Sequence, residues 1–474
     1  MTSHQAAITE LLQALGPKIT LDAKSLTRHS KDNSYHTPYP PLAIAHPESE
    51  ADISTILSIC NTHRLPVVPY AAGSSLEGHV IPEKGVKPVI IDISKMDSVI
   101  AVHKDDLAVT VEPGVGWMEL NAELRDLGLF FPPDPGAAAC IGGMCGTNCS
   151  GTLAWKYGTM KDNVLGLRVV LADGRVITTR KRVTKSSAGY DLTRLLVGSE
   201  GTLGVVSRAI LRLRRIPRCT SVAMVQFPTL DLACVYVQKL VLEGPPTLNR
   251  IELMDALCIR SVNIANDEAW PEVTTLLLEF AGPTMEQLAN DSRQCETLSS
   301  THGVSAYRFG GYSARESEKL WSIRKKAFFA SKALRPDLPN CAILTTDVAV
   351  PISQLQTMLH HTHALIAQYG LTSPIVAHAG DGNFHCFVLF DPSNHEESGR
   401  VEGFRDGLIK KALELDGTCT GEHGIGKGKR EALVMELGED AVEVMRSIKR
   451  ALDPHGIMNP GKVFRLEEGC KAKL

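Results

Sequence analysis

Pro69-Tyr70-Ala71-Ala72-Gly73-Ser74-Ser75-Leu76-Glu77-Gly78 is the stretch on which the fold turns. It closes an apolar run, Leu65 to Tyr70, that reads as a strand. Upstream, Leu42 to Ala45 reads as another strand. Between the two, Ser49 caps a helix with Ile53, Ile56, Leu57 and Cys60 at i, i+3, i+4 and i+7. A Gly/Ser loop at the carboxyl end of a β-α-β unit lets backbone N–H groups approach an anion closely. A second such stretch runs Pro132-Pro133-Asp134-Pro135-Gly136, then Ile141-Gly142-Gly143-Met144-Cys145-Gly146-Thr147-Asn148-Cys149-Ser150-Gly151. One loop alone would be a tight turn. Two, on successive α/β units, point to a large anionic cofactor. Neither is Gly-x-Gly-x-x-Gly after a strand with an acid about twenty residues on, so a nicotinamide dinucleotide fits poorly.

Further along, Pro88 to Ile93 reads as a strand, and Trp117, Leu120 and Leu124 mark a helix closed by Gly128. Asp173-Gly174 between Asn163–Ala172 and Arg175–Thr179 signals a hairpin. Gly204 to Leu213 is a further strand, and Arg215-Ile216-Pro217 looks like a domain boundary. Beyond it, strand-like runs (222–227, 274–280, 305–309, 343–350) alternate with helix-like ones (230–242, 285–300, 316–334, 353–369). The expected class is α+β, with a cofactor domain over 1–217, a substrate domain over 218–464 and a flexible tail, 465–474.

The net charge of −3 gives no reason to expect nucleic acid or an anionic membrane as partner, and no run approaches the ~18 apolar residues of a membrane span. Twelve scattered cysteines suit reduced thiols in an intracellular protein. Cys140, Cys145 and Cys149 are read as small loop residues, because no fourth ligand stands at cluster spacing. Ala472-Lys473-Leu474 is a close variant of the small-basic-Leu peroxisomal address. The peroxisome is therefore one expected location, with mitochondrion or cytoplasm as alternatives.

The chain resembles the FAD-linked oxidases of the vanillyl-alcohol oxidase type, in the branch of D-lactate dehydrogenase and the glycolate oxidase flavin subunit. The resemblance spans essentially the whole chain. It rests on the first loop, on Asp134-Pro135 with Gly142-Gly143, on Tyr157-Gly158 with Asp162-Asn163-Val164, and on Gly198-Ser199-Glu200-Gly201-Thr202-Leu203-Gly204-Val205-Val206. It implies a two-subdomain FAD-binding domain of the PCMH type, with an antiparallel sheet in the substrate domain. The implied FAD contacts are Ala72, Gly73, Ser74, Ser75, Leu76 and Gly78 in the first loop. In the second they are Pro133, Asp134, Pro135, Gly142, Gly143, Gly146, Thr147, Ser150 and Gly151. Asn163 and Val164 join them, Glu200, Gly201, Gly204 and Val206 would line the adenosine end, and Asn459 would return to the flavin ring. Some relatives attach FAD through a histidine where Ser74 stands here, so non-covalent FAD is expected. His79 lies past that position and reads as ordinary.

The sharpest local signal is His378-Ala379-Gly380-Asp381-Gly382-Asn383-Phe384-His385. Taking Asp381-Gly382 as a two-residue turn pairs 378 with 385, their Cα atoms roughly 5.5 Å apart on one face. Two imidazoles in that register suit one metal ion. Glu422, in Gly421-Glu422-His423-Gly424-Ile425-Gly426, supplies a carboxylate, and the same order of motifs recurs in the resembling branch. A His₂-carboxylate set keeps coordination positions open and suits Zn²⁺ or Mn²⁺. His423 is then available as the base for a substrate hydroxyl, with the ion favouring the alkoxide and hydride passing to flavin N5. Arg324 is the expected carboxylate-binding cation, by resemblance, and Asp347 a supporting group.

The expected reaction is oxidation of a small D-2-hydroxy acid, D-lactate to pyruvate foremost. Glycolate, D-2-hydroxyglutarate or an alkyl-glycerone-phosphate synthase-like transferase reaction are the alternatives. A distal carboxylate would need a further cation, and none stands out. Cytochrome c, a quinone, another flavoprotein and dioxygen all stand open as electron acceptors. A homodimer is compatible with the sequence.

Overall fold

The computed structural model describes residues 3–311 and 313–466. The expected tail, with its Ala472-Lys473-Leu474 end, lies from residue 467 onward outside them. Two compact units divide the chain. The first holds the residues up to Ser150, Tyr157–Ile216 and those from Glu422 onward; the second holds Gly151–Lys156 and Pro217–Gly421. The expected boundary at Arg215-Ile216-Pro217 is where the chain leaves the first unit. The sequence reading then keeps one segment through 464, whereas the chain re-enters the first unit at Glu422. Backbone bonding explains the return. Val67 N donates to Ile457 O and Asn459 N to Val67 O, both at 2.8 Å, so the last segment extends the edge of the first sheet.

In the first unit, strands Val67–Tyr70, Val89–Asp92 and Ala43–Ala45 run parallel, with Ile19–Thr20 antiparallel at the edge. Helix Glu50–Thr62 is capped as read, Ser49 accepting from Asp52 N at 3.2 Å. Its Ile53, Ile56, Leu57 and Cys60 are buried against this sheet. Full burial of such side chains contributes about 1.5–3 kcal/mol each for the large aliphatics. The second sheet of this unit is antiparallel, in the order Val99–His103, Ala108–Val111, Val205–Arg212, Val164–Val170, Val176–Thr178. Its last pair is the Asp173-Gly174 hairpin, with Gly174 at φ +86.

The second unit is built on one eight-stranded sheet. Its central strands run Cys219–Phe227, Thr274–Gly282, Leu248–Met254, Ile375–His378, Asn383–Phe390. The run expected as one strand over 343–350 is two, Ala342–Thr345 and Val348–Ala349. The ladder breaks because the residues between turn their polar groups inward. Thr346 Oγ1 accepts from Cys386 N at 2.9 Å, and Asp347 accepts from Asn383 Nδ2 at 2.9 Å.

Asp255 caps helix Ala256–Asn266, accepting from Cys258 N at 2.7 Å. Burial, partly offset by the Cys258 amide, pushes its carboxyl up to about 7. A carboxyl whose folded pKa is raised stabilises the fold below its ordinary range, and that stability is lost as pH rises through about 7. Asp255→Asn keeps a good cap and removes the titration. Thermal unfolding across pH should show the wild type weakening by up to ~1.4 kcal/mol per pH unit from this group as pH rises from the ordinary carboxylate range to about 7, and the variant overtaking it by neutral pH. Parallel curves for the two proteins would contradict this.

Candidate active site

In the second unit the histidine stretch does form a hairpin, but not with the expected register. His378 stands opposite Asn383, and His385 opposite Val376. The turn spans 379–382 rather than Asp381-Gly382 alone. Asp381 N bonds back to His378 O at 3.2 Å, and Asn383 N to Asp381 Oδ1 at 3.2 Å, which sets the wider turn. Gly382 turns at φ +82, where an added Cβ would run into Val350 O. The shift from the expected pairing is two residues. A one-residue slip would have sent the rings to opposite faces, whereas two keeps them on one. His378 and His385 are therefore diagonal neighbours, centroids 5.3 Å apart and ring planes at 83°.

Both imidazoles are buried, and each is held by Nδ1. His378 Nδ1 donates to Glu252 Oε1 at 2.8 Å, and His385 Nδ1 to Thr346 O at 2.9 Å. With Nδ1 so engaged, Nε2 is the nitrogen of each ring that a metal would take. Asp347 Oδ1 lies 3.8 Å from His385 Nδ1, and Asp347 Oδ2 accepts from Thr420 Oγ1 at 2.7 Å. With Gly421 N donating to Asp347 O at 3.0 Å, this residue straps the last stretch of the unit onto the hairpin.

Glu252 is the group that sequence reasoning missed. Its strand, Leu248–Met254, places it directly opposite His378. Only 1 % of its side chain is accessible, and its second oxygen accepts from Arg324 Nε at 2.8 Å. Burial pushes this carboxyl up, but its partners His378 and Arg324 more than offset it, and it stays below the usual range. The signal available was an acid inside the apolar run Ile251-Glu252-Leu253-Met254. Arg324, expected to meet a substrate carboxylate, gives its Nε to Glu252 and has its guanidinium oriented by that bond.

In the first unit four stretches converge. Gly198 N donates to Cys145 O and Glu200 N to Gly146 O, both at 2.8 Å, which ties the second glycine loop to the Gly198–Val206 motif. Gly201, at φ +70, packs on Pro69 of the first loop. A Cβ at Gly143 would meet Ala71 at 3.8 Å, and one at Gly146 nothing within 4 Å, so the helix Ile141–Thr147 leaves a side-chain-free surface beside the first loop. Asn459 Nδ2 donates to Glu200 O at 2.7 Å and to His79 O at 3.2 Å. Asn459 Oδ1, His79 Nδ1 and Lys462 Nζ are buried with no hydrogen-bond partner among the described residues. Burial lowers the Lys462 ammonium to about 8. Buried polar atoms left over in this way are what a large polar cofactor satisfies. The residues fit FAD.

Other members of the expected FAD set also make bonds within the protein. Ser75 Oγ donates to Asp32 Oδ2 at 2.8 Å, and Asn163 Nδ2 closes its own turn on Tyr157 O and Thr159 O at 2.9 and 2.8 Å. Val164 opens its strand, Gly204 is pressed on Val169, and Gly151 belongs to the second unit. Glu200, expected at an adenosine end, turns its carboxylate to the backbone of Ile425 and Gly426, at 2.6 and 2.7 Å. His79 is not ordinary either, since its Nε2 lies 3.2 Å from Glu200 Oε2.

Glu422 and His423 open the returning segment of this unit, both half-buried. Ser150 Oγ, a cofactor contact by resemblance, donates to Glu422 Oε2 at 2.8 Å. His423 Nε2 lies 4.0 Å from Glu422 Oε1. The expected metal set is thus supplied by two units, the imidazole pair by one and the carboxylate by the other.

A flavin-type cradle on one unit and an imidazole pair on an antiparallel sheet in the other define a cofactor-dependent oxidoreductase class. Comparison with known proteins agrees. Residues 41–180 match the FAD binding domain, and residues 216–463 match the C-terminal domain of FAD linked oxidases. The chain belongs to the FAD-linked oxidases, on the branch of the D-lactate dehydrogenases and glycolate oxidase flavin subunits, and binds FAD. It is 43 % identical over 96 % of its length, and 80 % of the relative's, to the mitochondrial D-lactate dehydrogenase [cytochrome] of Arabidopsis thaliana. It is 33 % identical to glycolate oxidase subunit GlcD of Bacillus subtilis, over 96 % of each chain. The 4-ethylphenol oxidase of Gulosibacter chungangensis shares the PCMH-type fold, with a TM-score of 0.81, 16 % identity, and 99 % and 98 % of the two chains covered.

Removing one partner from a buried ionic set leaves the others uncompensated, at about 3–5 kcal/mol. Glu252→Ala should lower unfolding free energy by that order in a urea titration, and loosen the His378 ring. A loss under about 1 kcal/mol would mean that the Arg324–Glu252–His378 chain carries no structural weight.

Proposed function

We propose that this protein oxidises a small D-2-hydroxy acid, D-lactate first among the candidates, to the 2-keto acid, pyruvate. It would do so with non-covalently held FAD and one divalent ion, Zn²⁺ or Mn²⁺. The observation that carries the reading is the imidazole pair: two buried rings on one face of a hairpin, each with Nδ1 committed, in a chain of the FAD-linked oxidase family. Metal-binding imidazoles are characteristically fixed through their other ring nitrogen in this way. The names of the relatives supply the substrate, D-lactate for the plant, fish and yeast proteins at 39–43 % identity.

His378, His385 and Glu422 would hold the ion, and Ser150 would hold Glu422. The ion, when bound, supplies Lewis-acid stabilisation of the substrate oxygen, and FAD supplies the hydride acceptor. His423 takes the hydroxyl proton on its imidazole. Arg324 turns its outer guanidinium nitrogens to the substrate carboxylate, with Nε anchored on Glu252. The plant and yeast relatives, named as cytochrome-type mitochondrial D-lactate dehydrogenases, favour a cytochrome as electron acceptor and the mitochondrion over the peroxisome. Glycolate is the second reading, favoured by the likeness to the Bacillus subtilis subunit. It differs from lactate by one methyl.

Anaerobic stopped-flow spectroscopy tests the reading. D-lactate should bleach the flavin, L-lactate should leave it oxidised, and a chelator should abolish the D-lactate phase until Zn²⁺ or Mn²⁺ is restored. His423→Gln should retain FAD and slow bleaching by about 10²–10⁴-fold. Equal bleaching by both enantiomers, or full-rate bleaching after complete metal removal, would sink the proposal.

A further inference from the structure

Glu200 is held in an unusual way. Its backbone sits at φ +53, left-handed for a residue that is not glycine, and that strain persists only where the surroundings over-determine it. Its side chain is 3 % accessible. Its main chain is gripped on both sides, N donating to Gly146 O at 2.8 Å and O accepting from Asn459 Nδ2 at 2.7 Å. The carboxylate then receives two consecutive amides, Ile425 N on Oε1 at 2.6 Å and Gly426 N on Oε2 at 2.7 Å, with His79 Nε2 3.2 Å from Oε2.

Consecutive amides converge on one anion where the chain turns through left-handed residues, forming an anion-binding nest. Gly424 at φ +81 and Gly426 at φ +52 provide that turn. The fit admits no side chain at 424, since a Cβ there would lie 2.7 Å from Glu200 Oε1 and 2.8 Å from His79 Nε2. The nest is filled by the protein's own carboxylate, one residue past His423.

We propose that Glu200 is a positioning residue for the oxidation. By fixing residues 424–426, its carboxylate sets the direction in which Glu422 and His423 leave the loop. This rests on the reading of His423 as the base, and it gives Glu200 a task apart from contact with the cofactor. Reactions that depend on a positioned proton acceptor lose rate steeply with small displacements of that group.

Glu200→Gln keeps the size but offers one acceptor oxygen, and sets an NH₂ against a backbone N–H. On the FAD-loaded variant, hydrogen–deuterium exchange over 422–428 should quicken by about tenfold or more. Flavin bleaching by D-lactate should slow by about ten- to a hundredfold, while FAD content and bleaching by dithionite stay at wild-type values. Unchanged exchange would remove the staple. Faster exchange with an unchanged D-lactate rate would remove the positioning role. Weakened FAD binding with a normal rate once FAD is restored would give the carboxylate to the cofactor instead. If Glu200→Gln fails to accumulate, Gly424→Ala attacks the same contact from the other side and should reproduce both effects. Failure of the base reading is separable: His423→Gln with a wild-type bleaching rate would end that reading and leave the exchange result standing.

Discussion

Glu252 is an ionised carboxylate inside an apolar sheet, and it can be there only while His378 and Arg324 answer it. Desolvating a carboxylate costs several kcal/mol, recovered only with partners in good geometry on both oxygens. That requirement constrains everything around it. It fixes the pairing of Leu248–Met254 with Ile375–His378, because Glu252 must stand opposite His378. It fixes the His378 ring and the direction of Arg324. The same hairpin then carries His385 to the same face, where Thr346 O and Asp347 hold it. Structural necessity and the proposed chemistry thus share one set of bonds.

The first unit follows a different logic. Its cradle is built by removing side chains, at Gly143, Gly146 and Gly201, and by knotting distant loops through backbone bonds. Polar atoms left over in the knot, on Asn459, His79 and Lys462, are of the kind that a polar cofactor satisfies. The pair Glu422–His423 emerges from this knot rather than from the sheet that carries the imidazoles.

Much of this was legible in the sequence, for identifiable reasons. The capped helix Glu50–Thr62 and the Asp173-Gly174 hairpin declare themselves because periodicity and turn chemistry are local. The shared face of the two histidines was legible too, although the register was not. Asp381-Gly382 looks like a complete two-residue turn, and only Val350 against Gly382 and the Asp381 back-bond reveal the wider one. Glu252 and the carboxylate of Glu200 were missed because their partners lie more than a hundred residues away: His378 for the one, Ile425 and Gly426 for the other. No local pattern encodes that. The interruption at Thr346-Asp347 was hidden in the same way, by side chains that find Cys386 and Asn383 across the sheet.

In the proposed site the rings of His378 and His385 share a divalent ion through Nε2. Pulsed electron paramagnetic resonance of the Mn²⁺-loaded protein asks this directly. Nitrogen modulation from two imidazoles is expected, reduced to one when either histidine is replaced by alanine. A spectrum of hydrated Mn²⁺ with no nitrogen coupling would contradict it.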